Sequence, residues 1–373
     1  MPRLKRYFSQ LGGASVAKPF TVLIINPGST STKIALFKDD KEVFNRSLKH
    51  SIEQLEQFDD IWEQYDFRKE AILSELEREQ VSLKELDAIC CRGGNVKPIP
   101  GGIYLVNEAM LQDLKGGQYG QHPCDVGNVI AYDLGRELNI PVVTVDPPVS
   151  DELEPLARYS GHRLIPRVSS FHALNQKATA RKLAADLGKS YDQLNLIIVH
   201  LGGGISVGAH RRGKVIDVNN ALYGDGPFSP ERTGSLPVGA LVELCFSGRY
   251  TKADVMKMIN GAGGLMSYLG TKLGLEVEER IEQGDRLAQE VFEAMAYQTA
   301  KEIGAQAAVL EGKVDVIGLT GSLAYSDRFV GYIKSRVSFI APVYLYPGEN
   351  EMQALADGAL RFLRGEEEAK IYQ

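Results

Sequence analysis

The same layout occurs twice in this chain, and that repetition limits its possible folds more than any other feature. An apolar run at 21–25 leads into the polar segment 26–33 (NPGSTSTK), then into an apolar run at 34–37, a short turn at 38–41 and a strand-like stretch at 42–48. Much later, 196–200 (LIIVH) passes through Leu201, Gly202, Gly203 and Gly204 into 205–210 (ISVGAH), a turn at 211–213 and the run 214–217 (KVID). Each reads as strand, glycine-bearing turn, strand, turn, strand. Internal repetition governs architecture, so two related α/β domains with a cleft between them are predicted. The 373 residues, 44% of them hydrophobic, supply two cores.

The remaining segments alternate in the same spirit. In 50–80, Ile52, Leu55, Phe58, Ile61, Trp62, Tyr65, Ile72, Leu73 and Leu76 recur at helical spacing, predicting one or two amphipathic helices. Short strand-like runs at 88–91 and 141–145 are separated by helical material at 107–114 and 124–138. Helices follow near 172–187, 238–246 and 276–310, then a strand at 314–319 that runs into Thr320, Gly321 and Ser322, and a terminal helix at 349–363. This is an α/β alternation. The expected domains are 20–167 and 168–348, with 349–373 packing back on the first and 1–19 a loose extension.

Composition removes several function classes. Lys plus Arg number 42 against 48 Asp plus Glu, a net charge of −6, which argues against nucleic acid as the main ligand. No apolar run approaches the roughly 20 residues that span a bilayer, and residues 1–18 lack the apolar core of a signal peptide. No membrane partner and a cytoplasmic location are therefore expected. The four cysteines, with Cys90 and Cys91 adjacent, have neither zinc nor redox spacing and form no dense disulfide framework.

The turns carry the chemistry. Segment 26–33 offers backbone N–H groups, the amide of Asn26, the hydroxyls of Ser29 and Ser31 and the ammonium of Lys33, all suited to phosphate oxygens. The same composition suits an ordinary hairpin turn, which Asn, Pro, Gly and Ser favour for backbone reasons. The second turn, after His200, lets a ligand approach the backbone at Gly202, Gly203 and Gly204, and a tight hairpin is its plain alternative. It is neither a Walker A loop nor a dinucleotide fingerprint, because no helix and no Gly-Lys-Ser/Thr follows. The turn at Gly321 and Ser322 offers amides and a helix N-terminus to a nucleotide.

Together the three turns resemble the acetate and sugar kinase, heat-shock protein and actin superfamily, and within it the carboxylate kinases of the acetokinase family. Segment 26–33 is similar to their first phosphate loop and 200–204 to their second. Cys91-Arg92-Gly93-Gly94, 170–177 (SFHALNQK), 218–221 (VNNA) and 226–234 (GPFSPERTG) look like butyrate kinases more than acetate kinases. The resemblance runs from about Phe20 to the terminal helix. It implies two ribonuclease H-like, actin-like ATPase domains that clamp ATP, and reversible transfer of its γ-phosphoryl to butyrate or a related short-chain acid, giving an acyl phosphate and ADP with Mg2+. A homodimer or a larger homo-oligomer is also implied.

Residue roles follow from the resemblance position by position. Asn26, Ser29, Ser31, Lys33, His200, Gly202, Gly203, Gly204, Gly321 and Ser322 would bind ATP. Arg232 would neutralise the phosphoryl in flight, a task suited to a planar guanidinium; a surface arginine on a loop is its plain alternative. His172 would donate to the same phosphoryl, though a lone histidine is more often a packed core residue. Asp146 would serve catalysis and hold magnesium, unless it merely caps the turn before Pro147 and Pro148. The family's substrate arginine falls at Ile89, and Arg92 stands where acetate kinases have a histidine. Arg92, with Gly93, is therefore the expected carboxylate site. Two departures, Ser322 and the run Lys272-Leu273-Gly274-Leu275, keep a second reading open: an ATP-binding sensor of the same fold with lost turnover.

Overall fold

The structure is a computed structural model and describes residues 18–373; the extension expected at 1–19 lies, but for its last two residues, outside the described residues. The strands are β1 (Thr21–Pro27), β2 (Ser31–Lys38), β3 (Lys41–Lys49), β4 (Ala88–Cys91), β5 (Ile103–Leu105), β6 (Val142–Val145), β7 (Asn195–Leu201), β8 (Ile205–Arg211), β9 (Lys214–Val218), β10 (Val316–Gly321), β11 (Val343–Pro347) and β12 (Lys370–Ile371). They form a seven-stranded sheet, β12-β5-β6-β4-β1-β2-β3, and a five-stranded sheet, β11-β10-β7-β8-β9.

The two sheets repeat one design. β1, β2 and β3 are an antiparallel meander, and β4 and β6 continue the sheet parallel to β1. β7, β8 and β9 are the matching meander, and β10 and β11 continue parallel to β7. The predicted duplication is thus a duplicated five-strand order.

Strand alternation explains how each sheet is covered. Successive side chains of β1 point to opposite faces. Leu23 and Ile25 pack with Ile72 and Leu76 of helix Tyr65–Arg78 and with Val126 and Ile130 of helix Pro123–Leu138. Val22 and Ile24 pack with Leu355, Ala359 and Phe362 of helix Glu351–Leu363. In the second sheet Ile197, Val199 and Leu201 meet Phe292, Met295 and Ile303 of helix Arg286–Val309. Leu196 and Ile198 meet Ala180, Leu183 and Ala184 of helix Ala173–Asp186. Each fully buried Leu or Ile contributes about 1.5–3 kcal/mol, so both lobes have cores of their own. Gly358 brings the last helix against β6, where a Cβ would lie 2.7 Å from Val145 Cγ1.

Some elements differ from the sequence reading. The helix expected over 276–310 breaks into Gly274–Glu282 and Arg286–Val309, because Gly284 takes φ +90° and Asp285 caps the second helix through Ala288 N–H. β11 and β12 were not expected, although 343–346 (VYLY) carries strand-favouring residues; their side chains are half-buried or exposed. Among the described residues no helix is long and apolar enough to cross a membrane.

Candidate active site

The first turn is braced from below. Gly28 N–H donates to Ser31 O at 2.8 Å, closing the chain between β1 and β2. Beneath it lies Arg68, fully buried on helix Tyr65–Arg78. Its guanidinium donates to the carbonyls of Ser29 and Ser31, each at 3.3 Å, and to Thr32 Oγ1 and Gln64 Oε1, each at 2.9 Å. No carboxylate pairs with it among the described residues. Burial lowers Arg68 to about 10, so it stays charged at neutral pH and adds positive potential behind the turn. Lys33 is exposed on β2, and Asn26 Nδ2 donates to Glu351 Oε2 at 3.0 Å.

The second turn is shaped by what its glycines lack. A Cβ on Gly202 would sit 2.8 Å from both Glu349 Oε1 and His200 Nε2, and one on Gly204 would fall on Arg232 Nη1, 2.7 Å from its Cζ. Gly203 lies against Glu231 in the same way, at 3.3 Å. Only a backbone without side chains lets these groups approach. Arg232 is fixed by Nη1 donating to Ala221 O at 2.8 Å and Nε donating to Asn260 Oδ1 at 3.2 Å. Its Nη2 makes no hydrogen bond among the described residues.

Between the turns lie two histidines and a second arginine. His172, just before helix Ala173–Asp186, stacks on His200 with ring centroids 3.7 Å apart. His172 Nδ1 is 2.9 Å from Ser206 Oγ, and His200 sits between Asn175 Oδ1 at 2.8 Å and Glu349 Oε1 at 3.1 Å. Burial, then the neighbouring His200, Arg232 and Arg92, push His172 well below the usual imidazole value of 6.5, so it is neutral at pH 7. Glu349 is held low chiefly by its hydrogen bond to His200, with Lys33 and Arg92 adding to the field. Arg92, at the end of β4, has Nε 3.4 Å from Glu351 Oε1, and its buried Nη1 has no hydrogen-bond partner among the described residues. An orphaned guanidinium nitrogen is an open site for an anion. Gly93 turns away with φ +78°, against Thr144 and Pro147.

Asp146 departs from the sequence expectation. It follows β6 with φ +41° and is fully buried. Gly102 N–H donates to its Oδ1 at 2.7 Å, Arg181 Nη1 donates to Oδ2 at 2.8 Å, and Lys177 Nζ is 3.9 Å away. Burial alone would raise its carboxyl; Arg181 and Lys177 outweigh that and hold it below the ordinary range. Both oxygens are committed to cations and an amide, which contradicts a magnesium-holding role. Two carboxylates that do enter the cleft, Glu349 and Glu351, were missed by the sequence reading. Their signal is the acidic start of the last helix after Gly348, with Asn350 capping through Gln353 N–H.

The third turn supports the same cleft. Gly321, with φ +91°, exchanges backbone hydrogen bonds with Gly348 at 3.2 and 2.9 Å and so sets the course of the segment carrying Glu349. Ser322 lines a cavity of about 780 Å³ with Gly202, Gly203, Lys272, Leu273 and Leu275. The two departures noted in the sequence thus meet in one cavity. Lys272 is tied to Glu231 at 2.9 Å across its wall. Asn26 and Arg92 come from the first sheet, His172, His200, Arg232 and the glycine turn from the second half, and the 349–351 segment joins them.

Comparison with known proteins gives a consistent result. Residues 153–330 match the model of the Acetokinase family. The acetate kinase of Porphyromonas gingivalis is similar at 19% identity and a TM-score of 0.74, over 92% of this chain and 100% of that one. A propionate kinase from Francisella tularensis subsp. tularensis SCHU S4 is similar at 18% identity and 0.69, over 91% and 98%. The acetate kinase of Entamoeba histolytica is similar at 17% identity and 0.71, over the same shares. At such identities the likeness establishes the fold, an actin-like ATPase architecture of two domains. Residues 153–330 are thus similar to the Acetokinase family, within a fold shared with solved acetate and propionate kinases.

Proposed function

We propose that this chain is a carboxylate kinase that transfers the γ-phosphoryl of ATP to butyrate or a related short-chain acid, between lobes formed by 20–167 and 168–348. One observation carries the reading: Arg92, whose buried Nη1 is unpaired among the described residues, shares one cleft with neutral His172 and with Arg232, which lies against the second glycine turn at Gly204. A carboxylate oxygen attacks the γ-phosphorus, the bond to the β,γ-bridging oxygen breaks, and ADP leaves with that electron pair. Arg92 holds the acid. Arg232 and an N–H of His172 bind the equatorial oxygens as charge shifts, and fixed donors of this kind supply most of the catalysis in phosphoryl transfer. The turns at 28–30 and 202–204 hold the phosphates, with Lys33, Asn26 and His200 beside them, and the cavity at Ser322 and Lys272 takes the nucleoside.

Magnesium fits this cleft through Glu349, whose Oε1 meets His200 while its Oε2 makes no hydrogen bond among the described residues, because that ion needs only one or two carboxylates besides phosphate oxygens and water. When bound it would neutralise phosphate charge. The reading extends to a cytosolic homodimer or larger homo-oligomer by family analogy.

The test is a hydroxamate assay: protein, Mg-ATP and a series of linear and branched acids from acetate to valerate, with acyl phosphate trapped by hydroxylamine. Hydroxamate from one or more acids is expected, with short homologues separated by about 10 to 200-fold in kcat/KM. No hydroxamate from any acid, alongside ATP binding by calorimetry, would overturn the reading in favour of a nucleotide-binding sensor.

A further inference from the structure

Behind His172 runs a line of buried polar side chains that the phosphoryl transfer does not itself use. His172 Nδ1 is 2.9 Å from Ser206 Oγ, and Ser206 Oγ is 2.7 Å from Gln176 Nε2. Gln176 Oε1 is 2.9 Å from His210 Nε2, and His210 Nδ1 is 2.7 Å from the Tyr191 hydroxyl. Ser206, Gln176 and His210 are fully buried. Gly208 makes the space: a Cβ there would fall on Gln176 Oε1 and 3.1 Å from His210 Nε2.

One contact sets the direction of the whole line. The Gln176 side chain also lies 3.1 Å from the backbone carbonyl of Ser206. A carbonyl only accepts, so the amide nitrogen of Gln176 must be on that side and its oxygen must face His210. His210 therefore donates from Nε2, and its Nδ1 accepts from the Tyr191 hydroxyl. Ser206 Oγ accepts from Gln176, and its single proton has one acceptor, His172 Nδ1. Burial holds His210 well below, and Tyr191 well above, their ordinary values, which keeps His210 neutral and Tyr191 protonated as this assignment needs.

We propose that Tyr191, His210, Gln176 and Ser206 form a one-way hydrogen-bond chain that holds His172 as the Nε2–H tautomer, leaving its one N–H on the ring edge opposite Ser206. These four are positioning residues. The meaning of that N–H, a donor to the phosphoryl, rests on the carboxylate-kinase reading; the tautomer does not. Which ring nitrogen carries the proton is set by the hydrogen bond the other one makes.

The test is two-bond proton–nitrogen correlation NMR on the full-length 15N-labelled protein, with the His172 signals assigned by their loss in His172→Gln. A protonated Nε2 and an accepting Nδ1 are expected for His172 in the wild type; a protonated Nδ1 would overturn the chain. Ser206→Ala should mix the two tautomers, and Ser206→Thr, which keeps the hydroxyl, should restore the Nε2–H form. An unchanged His172 tautomer in a folded Ser206→Ala would also overturn the proposal. In the hydroxamate assay, Ser206→Ala should lower kcat about 10 to 100-fold, the usual cost of losing a group that orients a ligating or reacting one, with KM for ATP nearly unchanged. If no acid is turned over, the NMR result still decides this inference.

Discussion

The imidazole rings of His172 and His200 lie face to face, 3.7 Å between centroids and 12° from parallel. Two positive rings at that distance would repel strongly in a buried site. The neutrality of His172 is thus built into the cleft by its neighbour as well as by its burial.

That neutrality gives the first prediction. His172→Asn should lower kcat by about 10² to 10³, the cost of one lost donor to transition-state charge. Its pH–rate profile between 5.5 and 8.5 should parallel that of the wild type, since the folded His172 does not titrate near 6.5. A step near 6.5 that disappears in His172→Asn would contradict the assignment.

Gly204 tests Arg232 without touching its charge. A Cβ at 204 displaces the guanidinium, so Gly204→Ala should cost turnover nearly as much as Arg232→Ala, about 10³-fold. Circular dichroism should show an unchanged fold. Near-normal kcat in either variant would remove Arg232 from the transfer.

Asp146 and Glu349 should separate cleanly. Asp146→Asn leaves the Arg181 cation buried without its counter-charge, which costs about 3–5 kcal/mol, read as a lower urea midpoint. The magnesium concentration for half-maximal rate should not move. Glu349→Gln should raise that magnesium requirement at little cost in stability.

How much of this was legible in the sequence depends on range. The meanders were legible because each is local: apolar runs, glycine turns and adjacent strands all lie within about 30 residues. Arg92, His172 and Arg232 were found by family resemblance, and they do come together. Asp146 misled because a strand-end aspartate reads the same whether it faces a cleft or a buried Arg181, 35 positions on. Glu349 and Glu351 were missed because their partners, His200, Asn26 and Arg92, are 149 or more positions away in sequence. Arg68 looked like one more charge on an amphipathic helix, although it is the most deeply set cation under the first turn.

Removing that cation supplies a further prediction. Arg68→Met takes the donor from the buried Gln64 Oε1 and from the Ser29 carbonyl, while Ser31 O keeps the Gly28 N–H, at about 1–3 kcal/mol for each buried group unpaired. The urea midpoint should fall, and KM for ATP should rise more than kcat falls, because the turn loses its shape and the positive potential behind it. An unchanged KM would separate the Arg68 brace from nucleotide binding.

Acid should destabilise the fold through its buried histidines. His50, His122, His172 and His210 all have folded values below 6.5. As pH falls through 6.5 the unfolded chain takes up protons that the folded chain does not, so stability is full above 6.5 and is lost below it. Each such histidine contributes at most about 1.4 kcal/mol per pH unit in that window. Asp146 acts in the same direction only below 3.8. Urea midpoints at pH 7.5 and 5.5 should differ less in His210→Gln than in the wild type.

The crossing at Gly348 has one more effect. β11 ends in the second sheet at Pro347, and the next helix begins at Glu351, packed on the first sheet. Four chain steps reach at most about 14 Å, so 348–350 is a tether with little slack. Turning one lobe against the other must pull on it, and the Glu349 and Glu351 carboxylates are fastened along its length. Any rotation of one sheet against the other would therefore change the spacing of Glu349 and Glu351 from His200 and Arg92.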